Sequence, residues 1–160
     1  MKLLIFTILV GTAFAAPTLS SRQNSTCDPE KVAQLVGGIQ ANLFVQKQEL
    51  AGIKNLQKLE AKNGSTHFSK ERQNVLVIQQ LGIDIRAQNQ QIATEINSPA
   101  IDGLNIVQGA QITEMRQVMG LTGDKANDQD VLGTLVKEVE DGTKQNEANL
   151  AAAQGQCNAQ

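Results

Sequence analysis

The stretch running from Asp28-Pro29-Glu30-Lys31-Val32 through Leu35-Val36-Gly37-Gly38-Ile39 to Leu50-Ala51-Gly52-Ile53 reads as one long helix. Asp28 is a capping residue, Pro29 suits the first helical position, and Glu30 places an acid in the first turn. Val32, Val36, Ile39, Leu43, Leu50 and Ile53 then follow in steps of four and three, with Gln46 in the one gap. Leu35, Leu56 and Leu59 widen this stripe. A helix from residue 29 to about 62 would be roughly 50 Å long. Asn63-Gly64 stops it, because both residues tolerate the left-handed conformation of a helix C-terminus.

The same period recurs three times. Ser65, Thr66 or Ser69 can cap a second helix bearing Val75, Ile78, Leu81, Ile85, Ile92 and Ile96, with Asn89 in its seam. Asn97-Ser98-Pro99 ends it, and Pro99 suits the first position of a third helix carrying Ile101, Leu104, Val107, Ile112, Met115 and Val118 or Met119. Gly120 to Gly123 break that helix. A fourth is expected to open near Asp128 and to carry Leu132, Leu135, Val136, Val139, Leu150 and Ala153, with Asn146 in its seam. Four amphipathic helices joined by short loops predict an all-α, antiparallel up-down-up-down four-helix bundle. The alternative pattern is a pair of long hairpins that complete their cores by dimerising, so the expected state is a monomer or weak dimer.

Composition agrees with a helical chain. Aromatic residues are 2% of the 160, with no Trp or Tyr, which excludes the aromatic, turn-rich strands of a sandwich or barrel. The 41% hydrophobic content excludes a disordered chain. There are 20 Gln and 12 Asn, an excess of amides that suits an uncharged outer surface.

The first residues read as a signal rather than as fold. Lys2 precedes an apolar run from Leu3 to Val10, and Ala13-Phe14-Ala15 supplies the small residues of a cleavage site. The run is too short to span a bilayer, and no transmembrane segment is expected elsewhere. The expected organisation is a signal peptide at 1–15, a flexible arm at 16–27, the bundle at 28–157 and a tail at 158–160; Arg22 is a weak site for further cutting. Loss of Lys2 leaves 13 basic against 16 acidic residues, so no nucleic-acid partner is expected. In an oxidising compartment Cys27 and Cys157 are expected to bridge. In the up-down-up-down topology both fall at the same end of the bundle, so pairing and periodicity agree. Asn24-Ser25-Thr26 and Asn63-Gly64-Ser65 are N-glycosylation sequons, and modification of at least one of Asn24 and Asn63 is expected.

Residues with the chemistry of catalysis are few. His67 is the single histidine and reads as a surface residue in the loop before the second helix. Asp124, Asp128 and Asp130 resemble a calcium loop only superficially. Ala126, Gln129 and Leu135 stand where a ligand, a turn glycine and a bidentate Glu belong, so the acids read as helix caps. No metal, cofactor or enzymatic activity is expected. Gln46, Asn89 and Asn146 interrupt three seams; they read as a buried hydrogen-bonded layer, as the polar end of a ligand cavity, or as solvated seam edges. The many mid-helix glycines indicate either close helix approach or room for an elongated apolar ligand. Lys47, Lys54, Lys58 and Lys62 share one face of the first helix, which is either simply solvated or directed at an acidic glycan.

Ala16-Pro17-Thr18-Leu19-Ser20-Ser21-Arg22-Gln23 after the signal resembles the N-terminus of small secreted proteins of filamentous ascomycete fungi. Cys27-Asp28-Pro29-Glu30-Lys31-Val32, Gly38-Ile39-Gln40-Ala41-Asn42-Leu43, Gly82-Ile83-Asp84-Ile85-Arg86-Ala87 and Lys137-Glu138-Val139-Glu140-Asp141-Gly142-Thr143 are similar to the same group. More loosely, the aromatic-poor helical build resembles the fungal hydrophobic-surface-binding and cell-wall mannoprotein families, which implies adsorption to surfaces or lipid binding. No site residue carries over. The expected function is that of a non-enzymatic, secreted or cell-wall-associated protein acting at the cell surface by adhesion or interaction, towards a surface, glycan or host partner. The alternative is a carrier of a lipid or other apolar ligand.

Overall fold

The computed structural model describes residues 27–61 and 65–157. The signal segment, most of the arm, Asn24, Lys62, Asn63 and the tail lie outside the described residues. Four helices follow in order: α1 Pro29–Glu60, α2 Ser65–Glu95, α3 Ile101–Gly120 and α4 Lys125–Gly155. No strand occurs among the described residues. Each helix packs on two neighbours, α1 and α3 both lying against α2 and α4. Cross-helix contacts run in opposite directions along each pair. Lys31 meets Glu95 near one end of the α1–α2 pair, and Gly52 meets Val75 towards the other. Between α1 and α4, Asn42 meets Asn146 and Lys54 meets Glu140. The chain is an antiparallel up-down-up-down bundle. Cys27 and Cys157 form a disulfide with Cα atoms 5.2 Å apart, joining the start of α1 to the end of α4.

Local chemistry sets the helix ends. Asp28 caps α1, accepting a bond from Lys31 N–H at 3.2 Å, with Pro29 at the first position. At the end of α2, Asn97 takes φ 48°, Ser98 N–H donates to the Ala93 carbonyl and Asn97 N–H to that of Thr94. This pair of bonds closes the helix around a left-handed Asn. Pro99 falls in the turn, so α3 begins at Ile101, two residues after the position read from the proline. α4 begins at Lys125, before the expected Asp128. Asp124 is its cap, and its carboxylate accepts from Ala126 N–H at 3.0 Å. Asp128 instead folds back on the connection, accepting from the N–H groups of Thr122 and Gly123 at 2.8 and 2.6 Å.

α3 has 20 residues against 31 or 32 in the others. The turn at 96–100 and the connection at 121–124 take up part of the difference. Leu121 is extended and buried, and the Arg72 guanidinium of α2 donates to its carbonyl. Gly123 follows at φ 87°, a conformation favouring glycine, against the Phe68 ring.

Two separate apolar clusters fill the bundle. At the cysteine end, Leu35, Ile39, Ala93, Leu104 and Ala153 pack together. At the far end, Ile53, Leu56, Phe68, Val75, Val118, Leu132 and Leu135 do so. Between them the interior is polar.

Candidate functional site

In α1 the positions that face inward are Val32, Leu35, Ile39, Asn42, Gln46, Glu49, Ile53, Leu56 and Glu60, in unbroken steps of three and four. This is the seam spacing of coiled-coil packing. The same spacing in α2 runs Val75, Gln79, Gly82, Arg86, Asn89, Ala93 and Ile96; in α3 it runs Leu104, Val107, Gln111, Glu114 and Val118. α4 contributes Leu132, Leu135, Val139, Asn146, Asn149 and Ala153. Apolar residues thus dominate the seams at both ends, Glu60 at the end of α1 excepted, and polar ones the middle third.

This corrects the stripes read from sequence: Val36, Leu43 and Leu50 of α1 and Val136 and Leu150 of α4 each follow a seam position by one and are only half-buried, and the stripes of α2 and α3 shift likewise. Ile78, Ile85 and Ile92 each precede a seam residue by one position and are only half-buried, while Leu81 is 48% exposed. Ile112 and Met119 follow the seam by one position and are exposed, and Met115 is half-buried. Of these, Ile92 packs against the apolar cluster at the cysteine end. The inward positions themselves belong to Gln79, Arg86, Gln111 and Glu114.

One hydrogen-bonded layer draws a residue from every helix. The Arg86 guanidinium of α2 donates to Gln111 Oε1 of α3 and, at 2.6 Å, to Asn42 Oδ1 of α1. Asn146 Nδ2 of α4 donates to the same Asn42 oxygen at 2.8 Å and to Gln46 Oε1 at 2.9 Å. Asn42 Nδ2 in turn donates to the Gly82 carbonyl at 2.8 Å. One turn either way the network continues. Asn149 Nδ2 donates to Asn146 Oδ1, and Gln79 Nε2 donates to Glu49 Oε1 at 2.8 Å. Bridging four helices with side-chain bonds specifies their axial alignment, since sliding one helix by a turn would leave buried polar groups unpaired.

The glycines belong to this belt. A Cβ on Gly38 of α1 would stand 1.8 Å from Asn89 Oδ1 of α2, and one on Gly82 of α2 would stand 2.6 Å from Gln111 Nε2 of α3. Gly103 of α3 lies likewise against Asn149 of α4, and Gly142 of α4 against Gln46 of α1. Going round the bundle, each helix offers one glycine to an amide of the next. The close approach expected of these glycines is therefore made to amide side chains.

Among the residues singled out from sequence, Gln46 and Asn146 are brought together, both buried. Asn89 is buried too but sits apart, against Gly38, and its Nδ2 has no protein partner. His67 is exposed, inside the first turn of α2 rather than before it. Lys47, Lys54 and Lys58 are exposed, and Lys54 pairs with Glu140 at 3.2 Å. Asn24 and Asn63 lie outside the described residues. No group of three His, Cys, Asp or Glu suited to a metal ion occurs among the described residues. No helix there is long and apolar enough to cross a membrane.

The belt is also charged. Burial raises the Glu49 carboxyl above its ordinary range, opposed by the Gln79 hydrogen bond, the Arg86 charge and Gln111. Glu114 is pushed up to about 8, by burial first and then by the charges of Glu49 and Glu138, with Arg86 opposing. Burial lowers Arg86 to about 10, against the pull of Glu114 and Glu49. Chemically, this is a buried polar layer whose carboxyl groups release their protons less readily than exposed ones do. Its groups face each other rather than a cleft.

No known protein family, curated protein or solved structure matches the chain.

Proposed function

We propose that the chain is a non-enzymatic, secreted or cell-wall-associated helical protein that acts at the cell surface through its outer faces, by adhesion or interaction. The observation that carries this reading is the placement of Phe44. Only two aromatic residues, Phe44 and Phe68, lie beyond the signal-like segment. Phe68 is buried in the far-end core, and Phe44 is 63% exposed.

Phe44 stands one turn before Gln48 and two before Ala51 on α1, and both of those residues line a shallow groove between α1 and α2. Val77, 69% exposed, lines the α2 side, and Leu81 lies one turn beyond it. Exposed apolar side chains grouped at a groove favour contact with a surface or partner. The disulfide and the signal-like segment, read together, support action outside the cell.

The interior is better committed to packing than to cargo. Arg86, Glu49 and Glu114 cross the axis between the two apolar clusters, so an elongated apolar ligand inside would lie against buried charge. That weighs against the carrier reading.

The test is to express the tagged protein, separate wall from medium, and pull down from each. Adsorption to hydrophobic beads and to isolated wall is compared between the native chain and Phe44→Ser/Val77→Ser. Loss of retention of about tenfold, with unchanged helicity, supports the surface reading. Undiminished retention overturns it, and co-purified fatty acid in native mass spectra would favour the carrier.

A further inference from the structure

The outer side of α1 is as regular as its inner side. Phe44, Lys47, Ala51, Lys54 and Lys58 follow one another in steps of three and four, and all five are exposed. The stripe they form is about 21 Å long. Its charges are all cationic. Between Lys31 and Ala61 the acids of α1 are Glu49 and Glu60, and both are turned inward, 1% and 4% exposed. Lys54 pairs with Glu140 of α4 at 3.2 Å, whereas Lys47 and Lys58 make no ion pair among the described residues. A chain with 14 basic and 16 acidic residues thus carries a local row of lysine that its net charge hides.

Apolar side chains stand beside this row. Val45 of α1 lies against Gly82 of α2, which sets Phe44 level with Leu81, and Val77 is one turn away along α2. All three are exposed. Glu71 and Asp84, the acids on this side of α2, each accept from an amide of the same helix, Asn74 and Gln80 respectively. A soluble polyanion would neutralise the lysines and leave Phe44, Val77 and Leu81 in water. An uncharged apolar surface would cover those three and desolvate the lysines without a counter-charge. A leaflet of anionic phospholipid satisfies both sets, because its phosphates meet ammonium groups on long stems while its acyl region takes the apolar tips. Building on the surface role proposed above, we infer that the α1–α2 face docks on an anionic phospholipid bilayer. Phe44, Val77 and Leu81 dip into the leaflet, and Lys47, Lys54 and Lys58 bind its headgroups.

The geometry sets the pose. α1 and α2 lie flat on the surface, and the α3–α4 pair faces away from it, because α3 packs on α2 and α4 but not on α1. A row of three lysines or a shallow apolar insertion is by itself a weak anchor. Together they hold a protein at a membrane reversibly, with an affinity that salt weakens by screening the lysines.

Co-sedimentation of the full chain, disulfide intact, with phosphatidylcholine vesicles containing or lacking phosphatidylglycerol tests this. Binding to the anionic vesicles should exceed binding to the neutral ones by at least about tenfold and should weaken as salt is raised. Lys47→Gln/Lys58→Gln and Phe44→Ser/Val77→Ser, all at exposed positions, should each lower it by about tenfold or more. Lys125→Gln/Lys137→Gln, the same charge change placed on α4, should lower it by less than about threefold. No binding to anionic vesicles, equal binding to both kinds, or full binding by either face variant overturns the proposal. Retention by polygalacturonate instead of vesicles, lost with the lysines and kept without Phe44 and Val77, also overturns it and assigns the row to an acidic glycan. Should wall and hydrophobic beads hold the native chain while no vesicle does, the surface role stands and its lipid identity falls.

Discussion

Asn89 Oδ1 occupies the space into which a Cβ on Gly38 would project, 1.8 Å from that position. The helix therefore bears a glycine in its interior where propensity alone would favour alanine by about 1 kcal/mol. Gly38→Ala should destabilise by about 1–3 kcal/mol, since the buried Asn89 amide packed against this position must move. Gly37→Ala, one residue away, meets nothing within 4 Å and should stabilise by up to about 1 kcal/mol. Urea denaturation of the two variants gives opposite signs if the contact is the cause. Gly38→Ala combined with Asn89→Ala should recover much of the loss.

Arg86 joins three helices, and its removal should be among the most costly single changes. Arg86→Met leaves the oxygens of Gln111 and Asn42 without this donor and strips Glu49 and Glu114 of their opposing charge. A loss of about 3–5 kcal/mol is expected, as for one member of a buried charged set. Arg86→Lys should recover less than half of it, because an ammonium lacks the planar fork that reaches two acceptors on different helices. Glu49 and Glu114 are held above their ordinary range, so the stability linked to their protons is present below about 4.5 and lost as pH rises towards about 8. Removing the guanidinium raises their proton affinity further, so this fall should steepen. Thermal melts across that range measure both effects.

How much of this was legible follows from where the sequence signals sit. Asp28-Pro29 and Asn97-Ser98-Pro99 mark helix boundaries through local bonds that need no tertiary context, and the cysteine pair fits the topology independently. The belt was legible only in part. Gln46, Asn89 and Asn146 stand out because apolar residues on either side leave gaps around them. Gln79, Arg86, Gln111 and Glu114 do not, because an isoleucine or methionine one position away completes a parallel apolar stripe. The missed signal is the uninterrupted three-four spacing itself, which in α1 runs through Asn42, Gln46 and Glu49 without a slip. Which of two adjacent stripes faces inward depends on the neighbouring helices, and there Gly38, Gly82, Gly103 and Gly142 admit amides where a larger apolar side chain would clash.

Asp128 anchors the connection between α3 and α4 through the N–H groups of Thr122 and Gly123 and the Thr122 hydroxyl. Asp128→Ala should cost about 1–3 kcal/mol by leaving those donors without their acceptor. Asp128→Asn should cost less, since one oxygen remains. Gly123→Ala should add strain at φ 87° and press on Phe68, whose ring lies 3.2 Å from the new Cβ. Far-end amide exchange should rise in each variant, while exchange near the cysteines stays unchanged.

The disulfide and the belt divide the task of holding the bundle in alignment. The bridge spans a separation of 130 residues, so its effect on the unfolded chain is near the upper end for a single crosslink, about 5 kcal/mol. Cys27→Ser/Cys157→Ser should lower the unfolding free energy by up to that amount and fray the first turn of α1 and the last of α4. The four-helix layer around Arg86 lies several turns from the bridge and pairs the same residues without it. The variant should therefore retain the helical signal of the native protein at low temperature, with a lower midpoint in denaturant. Intact mass before and after reduction verifies one internal bridge in the native chain. A double-Ser variant that is already unfolded without denaturant would show that the belt cannot align the helices unaided.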